Sequence, residues 1–368
     1  MKILHIINHM GMGGAQSLIA ELAPVQKQMG HEVCVLEIST TSDRTLVNKL
    51  HEDEIEVVTI SSHRSVRNPL NIFSLIPYIR QYDVLHVHLF PSNYWAAIAN
   101  ILIGKPIITT EHSTDNKRRK IPFFKYIDAC IYKKYNNVVA CSDRALDIFR
   151  QRFPRVKSSA IPNGVDLIKY KTAQPYTKHE LLGLPEEVFL CTMVARFEYP
   201  KRQDVVVQAI AKLPSRFHVV FVGGSPDDEN LLKVKKLAED LRVANRVHFL
   251  YVRSDVPRIL KTSDIILMAS EYEGLSLSSI EGMASGRPFV ASNVNGLKEV
   301  VDGAGELFKI GDIDELSAKL LKLASDDHYY DDVTKTCLKR AEEYDISVVA
   351  DKYQAEYNRH LRHNKTLL

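Results

Sequence analysis

The sequence predicts an α/β protein made of two doubly wound parallel sheets. Short apolar runs alternate with helical segments along the 368 residues, a pattern typical of parallel strands joined by helices. Several of these runs end in glycine-containing loops that lead into helices, which is where such sheets bind ligands. The chain is long for one core. We therefore expect one domain at 1–168, completed by a C-terminal helix at 345–368, and a second domain at 169–344.

Composition and charge narrow the class of protein. Hydrophobic residues make up 45% and charged residues 25%, as in ordinary globular proteins, and no apolar run approaches the roughly 18 residues of a membrane-spanning helix. Five scattered cysteines without a C-x-x-C pair favour a reducing compartment over disulfides or a zinc site. We therefore expect the protein in the cytoplasm or at the inner face of the membrane.

The net charge of +3 is unevenly distributed. Residues 1–165 carry 20 Lys and Arg against 14 Asp and Glu, whereas the remainder is net negative by 3. This asymmetry indicates that the first half meets an anionic surface. It is too weak to predict nucleic acid as a partner.

The first domain opens with a strand at Ile3–Ile7, a glycine turn and a helix that stops at Gly30. The apolar run at the amino terminus leads directly into this turn, so it predicts a first strand rather than a signal peptide. Gly11, Gly13 and Gly14 lack the G-x-G-x-x-G spacing of dinucleotide-binding proteins, which disfavours a nicotinamide dehydrogenase. Gly13 and Gly14 allow a ligand to approach the backbone closely, or they only make a tight connection between strand and helix.

Apolar periodicity places the other elements of the first domain. We expect further strands at Glu32–Ile38, Ile55–Ile60, Asp83–His88, Pro106–Thr110 and Asn137–Cys141, and helices at Asn71–Arg80, Trp95–Ile103, Ile127–Tyr135 and Ala145–Phe153.

Histidines stand at two strand ends. His86 and His88 share one face of a strand, as a metal pair would, but no third ligand of matching type stands nearby in the sequence. We therefore expect no metal, and a structural role or a place near a sugar pocket for His88. His112 follows the strand Pro106–Thr110, at the edge where such sheets carry function.

Basic and aromatic residues lie close together in the sequence after the strand Pro106–Thr110. Such a combination suits a surface that lies on anionic lipid, although a solvated loop that packs its aromatics inward is equally compatible. The residues are Lys117, Arg118, Arg119, Lys120, Phe123 and Phe124.

The polar stretch Lys169–Lys178 predicts a linker to the second domain. Strands are expected there at Val188–Val194, Phe217–Val222, Val247–Tyr251, Ile265–Leu267 and Phe289–Ala291, and helices at Val205–Leu213, Leu231–Leu241, Leu316–Ala324 and Val348–His360. Arg196 and Lys201 follow the first of these strands. As lone residues they would be surface charges, but at such an edge fixed cations can stabilise a leaving phosphate.

Two acidic patterns invite a ligand-binding interpretation. Asp312 and Asp314 form a D-x-D, which predicts a helix cap rather than a metal site here. Glu273 and Glu281 frame a loop that contains Gly274 and opens a helix near Ser276. A carboxylate at Glu281 would repel phosphate but can accept hydrogen bonds from ribose hydroxyls, or it is simply a solvated helix residue.

The second domain's E-G-x-x-x-x-x-x-E at 273–281 and A-S-G-R-P at 284–288, and the first domain's I-P-N-G-V-D at 161–166, resemble glycosyltransferase family 4. The resemblance implies the GT-B fold, two Rossmann-like domains facing across a cleft. It also implies transfer of a sugar from a nucleotide sugar with retention of configuration. The family's usual G-R-L…K-G is changed to Ala195-Arg196-Phe197 and Lys201-Arg202, with both charges kept. Tyr251 stands where the family often has glycine, which leaves contacts to the base open.

The resemblance assigns expected roles. Catalysis is expected from Arg196, Lys201, Glu273 and His112; donor binding from Gly13, Gly14, Gly223, Gly224, Tyr251, Val252, Gly274, Leu275, Ser276 and Glu281; and acceptor binding from Asn163 and His88.

From the same resemblance we expect a UDP-sugar donor, a glycan or lipid-linked acceptor of surface polysaccharide synthesis, and neither metal nor cofactor. Two alternatives stay open. A nucleotide-sugar 2-epimerase on the same fold would form an epimer without an acceptor, and a catalytically silent binding protein would bind without turnover.

Overall fold

The computed structural model describes residues 1–11, 13–112 and 122–365. It divides into two compact units, one formed by the described parts of Met1–Gly164 and Ile346–Leu368 and the other by Val165–Asp345. The sequence places this boundary at 168, a few residues further along the chain. No helix among the described residues is long and apolar enough to cross a membrane.

The amino-terminal unit contains a parallel sheet of seven strands within its described residues, in the order β3-β2-β1-β4-β5-β6-β7. The strands are β1 (Lys2–Ile7), β2 (Glu32–Glu37), β3 (Glu56–Thr59), β4 (Val84–His88), β5 (Ile107–Glu111), β6 (Asn137–Ala140) and β7 (Ser158–Ala160). The helices are α1 (Gly14–Gln28), α2 (Thr45–Glu52), α3 (Asn71–Gln81), α4 (Ser92–Asn100), α5 (Pro122–Tyr132) and α6 (Asp143–Arg152), with the C-terminal helix α16 (Ile346–Lys365).

The carboxyl-terminal unit contains a parallel sheet in the order β10-β9-β8-β11-β12-β13. Its strands are β8 (Phe189–Val194), β9 (Phe217–Val222), β10 (Val247–Tyr251), β11 (Ile265–Met268), β12 (Phe289–Ser292) and β13 (Glu306–Phe308). Its helices are α7 (Leu167–Thr172), α8 (Lys178–Leu182), α9 (Gln203–Lys212), α10 (Glu229–Asp240), α11 (Val256–Thr262), α12 (Leu277–Ala284), α13 (Lys298–Val301), α14 (Ile313–Ser325) and α15 (Asp327–Glu342). The predicted fold class of two doubly wound parallel sheets is confirmed.

Several predicted bounds are wrong for local reasons. The polar stretch 169–178 is not an irregular linker, because Asp166 caps α7 and a capping box of Thr177 and Glu180 starts α8. Helix α4 ends at Asn100 rather than at 103. The side-chain amide of Asn100 accepts from the Lys105 backbone N–H and donates to the Lys105 carbonyl oxygen, and these bonds form a turn in place of further helix. Helix α5 begins at Pro122, because proline is tolerated in a first turn.

The last helix packs on the amino-terminal unit. Val349, Tyr353 and Tyr357 share the buried face of α16 and join the core formed by α1, β1 and β4. All three side chains are completely buried. The chain therefore returns to its first unit after completing the second.

Candidate functional site

Each sheet has one point where the strand connections diverge. In the amino-terminal sheet it lies between β1 and β4, and in the carboxyl-terminal sheet between β8 and β11. Ligands of doubly wound proteins bind outside the carboxyl ends of the strands at such a point. The loops that follow β8 and β11 carry Arg196, Lys201 and Glu273, so the predicted catalytic residues of this unit stand at its switch point.

The structure joins Lys201 and Glu273 in an ion pair. Lys201 Nζ lies 2.6 Å from Glu273 Oε1, and the two side chains are only 18% and 11% exposed. Ser270 Oγ donates to the same carboxylate oxygen at 2.7 Å. A charge pair with this little solvent needs its hydrogen bonds to offset desolvation, which fixes the ammonium at the edge of the sheet.

Arg196 does not join this pair. Its side chain is 78% exposed, and Nη1 contacts Glu198 Oε1 at 2.8 Å. Exposed pairs of this kind contribute only about 0–1 kcal/mol, so the guanidinium can exchange Glu198 for a ligand phosphate at little cost. Its catalytic role stays a prediction.

Arg202 was not among the predicted site residues. It adopts a left-handed backbone with φ of 50° and binds Asp204 at 2.9 Å and Glu271 at 2.5 Å. Tyr199 Oη donates to Glu271 as well, at 3.2 Å. These contacts tie the loop after β8 to the loop after β11. The short R-x-D spacing was the available signal, but the contact to Glu271 spans 69 residues.

Gly223 and Gly224 bring the loop after β9 against the loop after β8. Both have positive φ, and a Cβ on Gly223 would lie 2.3 Å from the carbonyl oxygen of Ala195. A Cβ on Gly224 would lie 2.6 Å from the Phe197 ring. These glycines therefore support the loop that carries Arg196; direct donor binding by them stays a prediction.

The start of α12 is well capped, and the loop before it is open at Gly274. Ser276 is the N-cap and accepts from the Ser279 amide at 3.3 Å, while a Cβ on Gly274 would meet nothing within 4 Å. Gly296, which was not among the predicted site residues, packs on this loop with φ of +84°, and a Cβ added there would lie 2.3 Å from the Gly274 carbonyl oxygen. Leu275 packs against the core beside the loop.

Three further predicted donor residues occupy different surroundings. Glu281 lies inside α12 and is half-buried. Tyr251 has φ of 53°, and its hydroxyl is 3.2 Å from Lys235 Nζ. Val252 is highly exposed. Their contacts to a donor stay predictions.

Glu37 supports the glycine loop of the amino-terminal unit. Its completely buried carboxylate accepts from the Met10 amide at 3.0 Å, from Thr59 Oγ1 at 2.7 Å and from Arg44 Nη1 at 2.5 Å. Gly13 is the N-cap of α1, and a Cβ on Gly14 would meet nothing within 4 Å. The backbone at Gly14 is therefore open to a ligand, whereas the Gln16 side chain lies against Gly13, where a Cβ would be 2.5 Å from Gln16 Oε1. Sequence reasoning missed Glu37, since a buried acid on an apolar strand gives no local signal.

The prediction that His86 and His88 lack a third ligand nearby is wrong. His86 and His88 have a third histidine beside them, because β1 pairs with β4 in a register that places His5 opposite His86. One ring nitrogen from each of the three lies within 4.8 Å of the others, a spacing that metal sites use. Each of the six ring nitrogens nevertheless has a protein partner. His5 contacts Gln26 and His88, His86 contacts Tyr357 and Thr110, and His88 also contacts His112.

Burial keeps these imidazoles neutral. It lowers the pKa of His5 and of His112 to about 4, and that of His86 and His88 well below the ordinary value. Nδ1 of His112, after β5, and Oδ1 of Asn163, after β7, are among the buried atoms without a hydrogen-bond partner in the described residues. Both residues were predicted to bind sugar or acceptor. Their roles stay predictions.

The basic and aromatic segment is partly described. Lys117, Arg118, Arg119 and Lys120 lie outside the described residues. Phe123 is 68% exposed at the start of α5, whereas Phe124 is half-buried. One of the two predicted surface phenylalanines therefore faces solvent.

Two doubly wound parallel units, with cations and a helix start at a switch point, define the GT-B class of proteins. Residues 12–169 match the family model described as Glycosyltransferase Family 4, and residues 177–340 match the model described as Glycosyl transferases group 1. These matches together take in most of the chain, which belongs to this glycosyltransferase family.

Curated relatives span most of the chain. One is UDP-Gal:alpha-D-GlcNAc-diphosphoundecaprenol alpha-1,3-galactosyltransferase of Escherichia coli, 28% identical over 76% of this chain and 75% of the relative. Another is phosphatidyl-myo-inositol mannosyltransferase of Mycolicibacterium smegmatis, 28% identical over 94% of this chain and 90% of the relative.

Solved structures share the fold. A structure of Anabaena Alr3699/HepE in complex with UDP and glucose matches with a TM-score of 0.83 at 20% identity, over 98% of this chain and all of that one. A glycosyltransferase from Rickettsia africae ESF-5 matches with a TM-score of 0.85 at 22% identity, over 98% of both chains. At these identities the likeness shows the fold alone.

Proposed function

We propose that this glycosyltransferase moves a sugar from a UDP-sugar to a hydroxyl of a glycan or lipid-linked glycan, with retention of configuration and without a metal ion. The observation that carries the proposal is the Lys201 ammonium, fixed by Glu273 at the switch point of the carboxyl-terminal sheet. A nucleotide diphosphate bound outside these strand ends would meet that cation.

The chemistry follows from the charge that develops. The bond between the sugar's anomeric carbon and the diphosphate oxygen breaks, and the acceptor oxygen bonds to the same face of that carbon. The acceptor's proton goes to the departing diphosphate. Lys201, Arg196 and the positive end of α12 stabilise the negative charge on that leaving group. Glu281 accepts from the ribose hydroxyls, and His112 contacts the transferred sugar.

Donor and acceptor classes come from the relatives. The Anabaena protein was crystallised with UDP and glucose, and the Escherichia coli relative is named for UDP-Gal and an undecaprenol-linked GlcNAc. Both support a UDP-sugar here, and the second supports a lipid-linked acceptor in surface polysaccharide synthesis. Such an acceptor would place the protein at the inner face of a membrane.

The acidic D-x-D supports metal independence. Asp312 caps α14 by accepting from the Glu315 amide at 3.0 Å, and Asp314 pairs with Lys212. In this proposal neither carboxylate serves as a metal ligand, and Lys201 and Arg196 supply positive charge from the protein itself.

The segment at 117–124 is proposed to meet anionic lipid. Exposed Phe123, at the start of α5, is the described part of that surface. Replacing Phe123 by Asp should weaken cosedimentation with phosphatidylglycerol vesicles roughly tenfold, since burying an aromatic contributes about 1.5–3 kcal/mol. The matched control is Phe73→Asp, because Phe73 on α3 is an equally exposed phenylalanine outside this segment. Equal binding by all three proteins would contradict the proposal.

The function is tested by thermal shift and turnover together. UDP, GDP, ADP and NAD are compared, each with Mg²⁺ and with EDTA. Ligand at 100 times its dissociation constant adds about 2.7 kcal/mol of stability. We expect a shift with UDP that EDTA does not change, and one that Glu281→Ala weakens.

UDP-sugars are then incubated with undecaprenyl-diphosphate-linked GlcNAc, and the configuration of the new linkage is read by NMR. An inverted linkage would contradict retention. A 2-epimer formed without acceptor, or a shift only with NAD or only with metal, would overturn the assignment.

A further inference from the structure

A chain of hydrogen bonds connects His112 to Gln26 through two buried histidines. His112 Nε2 lies 3.1 Å from His88 Nδ1, and His88 Nε2 lies 3.2 Å from His5 Nδ1. His5 Nε2 in turn lies 2.7 Å from Gln26 Oε1. His5, His88 and Gln26 are almost completely buried. The chain links the interior of the amino-terminal unit to the carboxyl edge of its sheet.

Each ring in this chain must donate at one nitrogen and accept at the other. A neutral imidazole has one N–H and one lone pair, and burial holds the pKa of all three rings below their ordinary value. A donor must face an acceptor at every link. The direction of the hydrogen bond at one end therefore fixes the position of the proton in every ring.

The side-chain amide of Gln26 sets that direction. Its amide nitrogen donates to Tyr357 Oη at 3.1 Å, so its carbonyl oxygen faces His5. A carbonyl oxygen only accepts, which places the His5 proton on Nε2. His5 Nδ1 then accepts from His88 Nε2, and His88 Nδ1 accepts from His112 Nε2.

A neighbouring branch runs in the same sense. Tyr357 Oη accepts from Gln26 and donates to His86 Nδ1 at 2.8 Å. That bond leaves the His86 proton on Nε2, which donates to Thr110 Oγ1 at 2.7 Å. Every donor in the two branches meets an acceptor.

We propose that Gln26, acting through His5 and His88, sets the tautomer of His112, so that His112 presents a bare Nδ1 lone pair at the edge of the sheet. This atom is buried and has no hydrogen-bond partner among the described residues. The reverse direction would leave a buried N–H there without an acceptor, and among backbone groups such orphan donors are rarer than orphan acceptors. Gln26, His5 and His88 are positioning residues for His112.

The tautomer determines which ligand group His112 can bind. A lone pair accepts a hydrogen bond from a hydroxyl and repels a second acceptor such as an ether or phosphate oxygen. This consequence rests on the proposed function, in which a hydroxyl of the transferred sugar donates to Nδ1. The tautomer itself does not rest on it.

Nitrogen NMR of the full chain labelled with ¹⁵N-histidine tests the proposal directly. We expect the His112 proton on Nε2, with a coupling across the hydrogen bond to His88 Nδ1. Replacing Gln26 by Met removes the acceptor and should give both tautomers at His112. Replacing Gln26 by Glu keeps an acceptor and should preserve the single tautomer.

Thr110→Val is the matched control. It removes the partner of His86 Nε2 from the same buried cluster but leaves the chain from Gln26 to His112 intact. Its His112 tautomer should stay as in the unmodified protein. A change equal to that of Gln26→Met would show that general disturbance, not the chain, controls the ring.

Two results would overturn the proposal: a proton on His112 Nδ1 in the unmodified protein, or an unchanged tautomer in Gln26→Met. The first result is decisive even where that variant does not fold. In turnover assays, Gln26→Met should lower kcat/KM roughly tenfold, because it weakens about one hydrogen bond to the substrate. Gln26→Glu should restore kcat/KM. Absence of UDP binding would defeat the proposed function and leave the NMR result standing.

Discussion

Lys201 is the residue on which the proposed chemistry depends most. Replacing it by Met removes the fixed cation that would face the leaving diphosphate, so kcat should fall by roughly 10²–10³. Stability should fall as well, because Glu273 loses its partner in a place with little solvent. Turnover is therefore measured well below the thermal midpoint of the variant.

The control for this substitution is Lys212→Met. Lys212 also forms an ion pair in the carboxyl-terminal unit, with Asp314, but on an exposed surface. Its turnover should stay within about twofold of the unmodified enzyme, since exposed pairs contribute at most about 1 kcal/mol. Near-normal turnover in Lys201→Met would refute the role of this cation.

Buried histidines should make the protein sensitive to mild acid. Burial lowers the pKa of His5 and of His112 to about 4, whereas an unfolded histidine titrates near 6.5. Between these values the unfolded chain binds protons that the folded chain does not. The free energy of unfolding should therefore fall as the pH drops from about 6.5 to 4, by up to about 1.4 kcal/mol per pH unit for each histidine.

Urea unfolding at pH 7.5, 6 and 5 measures this loss. Replacing buried His86 by Gln should reduce the slope of the free energy of unfolding against pH by up to the equivalent of one bound proton. A free energy of unfolding that stays constant across this range would contradict the account of neutral buried rings.

At the scale of elements, Gly296 shows how the loop before α12 is held. Alanine there would meet two obstacles, a positive φ and a carbonyl oxygen 2.3 Å from its Cβ. Gly303 has a similar φ of +74° but nothing within 4 Å. Gly303→Ala should therefore cost roughly 1–2 kcal/mol from the backbone alone. Gly296→Ala should cost more and also weaken UDP binding, because the 273–276 loop must shift.

Urea unfolding and UDP titration of both variants separate the cost of the positive φ from the cost of the steric contact at Gly296. Equal losses of stability with unchanged UDP affinity would show that Gly296 does not support the loop.

These loops also show where sequence reasoning stopped. Apolar periodicity places strands such as Phe217–Val222 and Val247–Tyr251 correctly, because a buried strand leaves its pattern in adjacent residues. The contact between Gly296 and Gly274 leaves no such pattern. The ion pair between Lys201 and Glu273 spans 72 residues, and only the order of strands brings its two loops together.

At the scale of the whole chain, the third histidine was hidden in the same way. His5 and His88 are 83 residues apart and meet because β1 and β4 are neighbours in a sheet whose order does not follow the sequence. A search for nearby ligands of the H-x-H pair could not find His5. The resemblance to the family predicted His112 and His88 but not the His5 ring behind them.

The return of the last helix to the first unit gives the final prediction. Tyr353 on α16 is completely buried, and its hydroxyl lies 3.1 Å from Thr110 Oγ1 on β5. Tyr353→Ala should destabilise the amino-terminal unit by roughly 3–5 kcal/mol, as for other large aromatics removed from a core. The side chain of Tyr353 is not part of the core of the unit Val165–Asp345. The amides of that unit should therefore keep their protection from hydrogen exchange.

Hydrogen exchange followed by mass spectrometry resolves the two units in one experiment. In Tyr353→Ala, peptides from β1, β4 and β5 should exchange faster, while peptides from β8 and β11 should exchange as before. Tyr126→Ala, on the same unit but exposed, should leave both sets unchanged. Faster exchange throughout the chain would mean that the two units unfold together, and unchanged exchange in β1, β4 and β5 would mean that α16 contributes little to their core.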